Sequence, residues 1–186
     1  MADKPFISSD MGIILKIVLG FICILVLGFV GLVGYATFSD YKPDLTSLVF
    51  ENQDVKRITG QKQFNLMIWN IGYAGLSKEM DFFYDGGRQV RTARENVENN
   101  ITAIGNIIAH EKNIDFFLFQ EVDKNSKRSY LINEYLKIAN IFPEFHSGFG
   151  KNYDVFFVPV PPLKPLGAVL SGLQTLSRFE PASIVR

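Results

Sequence analysis

From Ile17 to Phe38 the chain runs for 22 residues without a charged side chain, through Leu, Val, Ile, Gly and Phe. As a helix this run is roughly 33 Å long, enough to cross the hydrocarbon layer of a bilayer. The competing reading is a cleaved secretory signal, because Lys4 and Lys16 precede the run and Gly34-Tyr35-Ala36 sets small residues at a cleavage-like position. The apolar core of such a signal is usually about 7 to 15 residues, so the length favours a retained single-pass anchor that takes the lipid bilayer as its partner through residues 17–38. Gly20, Gly28 and Gly31 do not make a GxxxG pair, so self-association is only weakly suggested and no protein partner is evident. Lys4, Lys16 and the amino terminus lie before the run and only Lys42 lies close behind it. That bias places the amino terminus in the cytoplasm and the globular part outside.

The remaining composition allows one globular domain. Nineteen basic and 19 acidic side chains in 186 residues cancel, which leaves no overall footprint for a polyanion, although a local patch stays open. Cys23, the single cysteine, lies inside the apolar run and excludes an intrachain disulfide or a cysteine metal site. The expected organisation is a tail over 1–16, a transmembrane helix over 17–38, a linker over 39–62 and a globular portion over 63–186. Ser39 to Lys62 is polar and weakly periodic, so it reads as a spacer in which Leu45 to Phe50 makes a short apolar turn or lies on the membrane surface.

Two apolar strands organise the globular part. Phe116 to Gln120 is mostly large and apolar, reads as a strand buried on both faces, and delivers Glu121 to its carboxyl tip. Phe64 to Trp69 is a second such run and ends in Asn70-Ile71-Gly72. In open α/β sheets ligands bind at the carboxyl ends of strands, so a carboxylate and an amide set there are candidate metal and substrate groups. A solvated strand-end acid is the competing reading of Glu121 taken alone. Between the strands, Thr92-Ala93-Arg94-Glu95 has capping-box spacing, and Val97, Ile101, Ile104 and Ile108 recur at helical intervals to about Lys112. His110 in the last turn of that helix reads as a cap or a solvated residue.

The long loop Gly72 to Arg91 carries Asp81-Phe82-Phe83-Tyr84-Asp85-Gly86-Gly87-Arg88, and its place after the Asn70 strand makes Arg88 and Arg91 candidate phosphate contacts. A structural turn with Asp and Arg paired to each other explains it equally well. Beyond Asp123, the spacing from Tyr130 to Ile138 predicts a helix ending before Pro143, followed by strands over Asp154 to Val160 and Gly167 to Ser177. His146 and Asn152 stand ahead of the first of these strands. His146 is a candidate proton-transfer group or phosphate contact, against a packed or capping residue; Asn152 is a further candidate polar contact.

Asn70 in Trp69-Asn70-Ile71-Gly72, Glu121 in Phe119-Gln120-Glu121-Val122-Asp123, and Leu170-Ser171 through Leu176-Ser177-Arg178-Phe179 resemble the first three signature blocks of the endonuclease/exonuclease/phosphatase superfamily. The Asp-Phe-Phe-Tyr-Asp-Gly-Gly loop and Arg128-Ser129-Tyr130 further resemble a bacterial membrane-anchored branch of it. The resemblance covers Phe64 to Arg186, the amino-terminal part of such a domain. It implies a two-sheet α/β sandwich, truncated and preceded by one transmembrane helix. It also implies a metal-dependent phosphoester hydrolase in which Glu121 binds Mg²⁺, with Mn²⁺ as an alternative, and Asn70 helps position the metal or the phosphate. The substrate would be a phosphate ester, whether nucleic acid, phospholipid or soluble. The superfamily's Gly-Asp-x-Asn block and terminal Asp-His pair are not found in this sequence. The expectation is therefore a chain nearly inert by itself, since general-base help is worth roughly 10² to 10⁴ in rate. The alternative is a catalytically silent membrane-bound binding or interaction protein built on the same fold.

Overall fold

The computed structural model describes residues 7–42, 48–51, 60 and 63–185. The chain divides into two compact units, Met1–Asp40 and Tyr41–Arg186. The described residues of the first form one helix, α1 (Ile7–Phe38), whose Met11–Phe38 portion is long and apolar enough to cross a membrane, with a mean hydropathy of 3.0 over its most apolar window. Its large side chains, from Met11 through Leu25 to Phe38, are exposed.

The second unit is mixed α/β. In chain order it contains β1 (Leu48–Glu51), β2 (Leu66–Asn70), α2 (Arg94–His110), β3 (Phe116–Asp123), α3 (Glu134–Ile141), β4 (His146–Val158), β5 (Gly167–Ser177) and β6 (Ser183–Val185). Four strands form one sheet in the order β2-β3-β5-β4, and β1 pairs with β6 as a separate antiparallel ribbon. β2 and β3 are parallel neighbours, in register from Leu66 opposite Phe116 to Asn70 opposite Gln120, with α2 as the crossover. β5 runs antiparallel to both β3 and β4.

One sheet face is covered by α2 and α3. Val97, Ile101, Ile104 and Ile108 from α2 and Ile138 from α3 meet Phe117, Phe119 and Leu176 in a core that is almost wholly closed to solvent. Each such side chain contributes about 1.5–3 kcal/mol through burial. The period-3.6 pattern of α2 and the alternation of the strands are what bring these residues to one layer. The other face keeps Leu66 and Ile68 open, at 55% and 66% exposure, beside Phe116 and Leu118 in the next strand. At its far side this face is met by the ribbon: a Cβ on Gly148 of β4 would lie 2.5 Å from Ile184 Cδ1 of β6, so a larger residue there would require the Ile184 side chain to shift.

Five local expectations are revised. Phe116 to Gln120 is not buried on both faces: Phe117 and Phe119 are closed to solvent, but Phe116 and Leu118 are half-buried and Gln120 is exposed, because the helices cover one face of the sheet only, and the strand continues past Glu121 to Asp123. The spacer segment contributes β1, which finds its hydrogen-bond partner more than a hundred residues away in β6 and so leaves no local signal. Thr92 does not cap α2: Ala93 is the capping position and makes no side-chain cap bond, while Thr92 Oγ1 accepts from Asn96 Nδ2 at 2.8 Å. The second helix starts four residues after Tyr130, because Tyr130 and Leu131 take left-handed backbone angles and Asn133 supplies the cap by accepting from the Leu136 N–H at 3.0 Å. The strand expected from Asp154 begins at His146, so His146 and Asn152 lie within β4 rather than ahead of it.

Candidate active site at two strand tips

Asn70 closes β2 and Glu121 lies near the end of β3, and the parallel pairing of these neighbours brings the two tips together. Opposite β5, Phe119 faces Gln174 and Val122 faces Gly172, so Gln120 and Glu121 together oppose the single Leu173. This is a bulge, and Glu121 adopts φ +56° within it. A bulge re-aims one side chain without ending the strand, at a cost of roughly 1–3 kcal/mol for the left-handed residue. The carboxylate thereby reaches Asn70, whose Nδ2 donates to Glu121 Oε1 at 2.8 Å.

The orientation of the Asn70 amide is fixed by its neighbour. The backbone N–H of Gly72, which can only donate, bonds to Asn70 Oδ1 at 2.9 Å, so the amide nitrogen faces the carboxylate. Asn70 thus orients Glu121 and keeps a second side-chain N–H for a further acceptor. A cavity of about 400 Å³ opens beside the pair, with Trp69, Leu76, Asn100 and Ile107 among its walls and both Asn70 and Glu121 in its lining.

Behind the tips lies a closed polar cluster. Asp123 is wholly buried and receives Arg128 Nε at 3.0 Å and Nη2 at 2.9 Å, one on each carboxylate oxygen, and the Ser129 hydroxyl at 2.8 Å. Its backbone N–H donates to Glu134 Oε2 at 2.9 Å. Burial, with the Asp123 charge adding to it, pushes the Glu134 carboxyl up to about 9, so it is held protonated at neutral pH. Burial likewise pushes the Tyr73 phenol up to about 12.

The other residues expected at the site lie elsewhere. His146 pairs with Ser177, which pairs with Phe116, so it sits at the end of the sheet opposite Glu121 and offers no proton transfer there. His110 occupies the last turn of α2, with Nδ1 2.6 Å from the Asn106 carbonyl. Neither histidine lines the cavity beside Glu121. Arg91 donates to the carbonyls of Lys127 and Pro165 at 3.1 and 2.9 Å, tying its own loop to those two segments, and does not line the cavity beside Glu121. Arg88 is exposed, its backbone N–H bonded to Asp81 Oδ2, and is not part of the cavity wall. Asn152 is exposed in a β4 irregularity at the Glu121 end of the sheet, but β5 intervenes.

Sequence reasoning missed Asn100, Tyr73 and Glu134. Asn100 had a signal, being a polar residue between Val97 and Ile101 on the helix that faces the tips; its Nδ2 donates to the Ala74 carbonyl at 2.8 Å. Glu134 had none, because an acid in the first turn of a helix ordinarily faces water.

Among the described residues no three His, Cys, Asp or Glu side chains group to hold a metal ion. A lone carboxylate beside an amide is still compatible with Mg²⁺, a hard cation that commonly takes one or two protein carboxylates and completes its shell with water and substrate oxygens. No protein-family model, curated protein or solved structure matches the chain.

Proposed function

We propose that the Tyr41–Arg186 unit is a phosphoester-processing domain of the endonuclease/exonuclease/phosphatase type, using Mg²⁺ or Mn²⁺ and tethered to a membrane by α1 with its amino terminus on the cytoplasmic side. The observation that carries this reading is the 2.8 Å bond between Asn70 Nδ2 and Glu121 Oε1 across two adjacent strand tips that line one cavity. Glu121 would hold the cation, which when bound polarises a phosphoryl oxygen and offsets the charge that develops on it. Asn70 keeps the carboxylate in place and donates to the phosphate without adding negative charge. The open apolar face at Leu66 and Ile68 suits a two-layer sandwich, in which a second sheet covers such a face.

The test is Mn²⁺ or Mg²⁺ binding by the full chain in detergent, with hydrolysis assayed in parallel on DNA, sphingomyelin and inositol phosphates. Glu121→Ala is expected to abolish the metal binding, and turnover is expected to be slow because neither histidine reaches the site. Metal binding that is unchanged in Glu121→Ala removes this residue from the centre and ends the reading.

A second reading, a catalytically silent membrane-bound binding protein on the same fold, is favoured by the single carboxylate at the site, since no third ligating side chain joins it among the described residues. Metal-dependent turnover that Glu121→Ala removes decides against it.

A further inference from the structure

Both strand tips are held in backbone conformations that side-chain-bearing residues disfavour. After Asn70 the chain passes through Gly72, Tyr73 and Ala74 at φ +54°, +43° and +48°, and on the neighbouring tip Glu121 is at +56°. Such stretches persist only where surrounding contacts over-determine them. One side chain touches both. The Arg128 guanidinium lies 3.9 Å from the centre of the Tyr73 ring, and the same group forks onto both oxygens of Asp123, two residues beyond Glu121. Arg128 Nη2 also donates to the Ser171 hydroxyl at 3.3 Å, and that hydroxyl donates to the Val122 carbonyl at 3.3 Å. Against the Tyr73 ring stands Gly75, where an added Cβ would overlap the ring carbons. The ring is thus fixed between a residue with no side chain and a planar cation.

We propose that Arg128 is the positioning residue of the Asn70–Glu121 pair: its guanidinium, stacked on Tyr73 and forked onto Asp123, locks the two strand tips together and so sets the amide-to-carboxylate bond. The geometry of this lock stands by itself, and its consequence for metal rests on the phosphoester reading above. Lysine cannot replace it, since an ammonium lacks both the planar stack and the two-pronged bond. Arg128 does not line the cavity, so it acts through the residues it holds.

The test uses the full chain in detergent micelles and reads two quantities: the side-chain amide resonances of Asn70, which report its bond to Glu121 without any metal, and Mn²⁺ affinity. In Arg128→Met the two Asn70 amide protons are expected to move toward the values of a free amide while the dispersion of core resonances is retained, and Mn²⁺ affinity is expected to fall roughly 10-fold to 100-fold, as when a group supporting a metal ligand is lost. Arg128→Lys is expected to show the same change in the amide resonances. Because Arg128→Met leaves the Asp123 charge buried alone, the double variant Asp123→Asn/Arg128→Met, which removes both charges, carries the same test where the single variant does not fold. Asn70 resonances unmoved in a folded variant overturn the proposal. Wild-type protein that binds no Mn²⁺ overturns the phosphoester reading instead, and the Asn70 resonances then still decide whether Arg128 sets the bond.

Discussion

Replacing Glu134 by glutamine removes the most perturbed carboxyl in the described structure, and the effect on stability follows from its surroundings. Glu134 is fully buried, its Oε2 accepts from the Asp123 N–H, and its Oε1 has no partner among the described residues. Its carboxyl rises from an ordinary 4.5 to about 9, through burial first and the neighbouring Asp123 charge second. Between those two values the folded protein keeps a proton that the unfolded chain gives up. Stability from this group is therefore whole below pH 4.5, declines as pH rises, and levels off above about 9. At 1.36 kcal/mol per unit, the loss between pH 4.5 and 7 is on the order of 3 kcal/mol. Glutamine matches the protonated acid in shape, can still accept from the Asp123 N–H, and does not titrate. Glu134→Gln should equal the wild type near pH 4.5 and exceed it at pH 7 by roughly 6–12 °C in melting temperature, from about 2–4 °C per kcal/mol at this size. The assay is thermal unfolding of both proteins in detergent from pH 4.5 to 9. Parallel curves over that range would refute the reasoning, because the difference between the two proteins isolates this one group.

Gly75→Ala forces a methyl group onto the Tyr73 ring and should destabilise the protein by about 1–3 kcal/mol, read by urea unfolding. Asn133→Ala removes the side-chain acceptor for the Leu136 N–H at the start of α3 and should cost about 1 kcal/mol in the same assay. His146→Ala should leave Mn²⁺ affinity within twofold of the wild type in a calorimetric titration, because the residue lies at the far end of the sheet from Glu121.

The amount of structure legible in the sequence differed with the range of the interaction that fixes it. The apolar run to Phe38 and the helical spacing of Val97, Ile101, Ile104 and Ile108 report on single elements, and both appear as helices. The apolar runs ending at Asn70 and Gln120 likewise became adjacent strands. His146 and Arg91 were read by residue type, which says what a side chain can do but not what it meets. The strand that carries His146 enters the sheet at the wrong end, and the carbonyls of Lys127 and Pro165 occupy Arg91.

The sequence by itself determined which segments are apolar, at what period they repeat and which polar residues stop them, because burial and backbone hydrogen bonding act on neighbours along the chain. Only the tertiary structure decided that Asn70 and Glu121, 51 residues apart, meet, since their contact needs a parallel register between two strands and a bulge that turns one carboxylate aside. It alone decided, too, that burial and the neighbouring Asp123 charge raise the Glu134 carboxyl and that Arg128 bridges Tyr73 and Asp123. Desolvation and charge pairing depend on what surrounds a group in space, and these surroundings are assembled from distant parts of the chain.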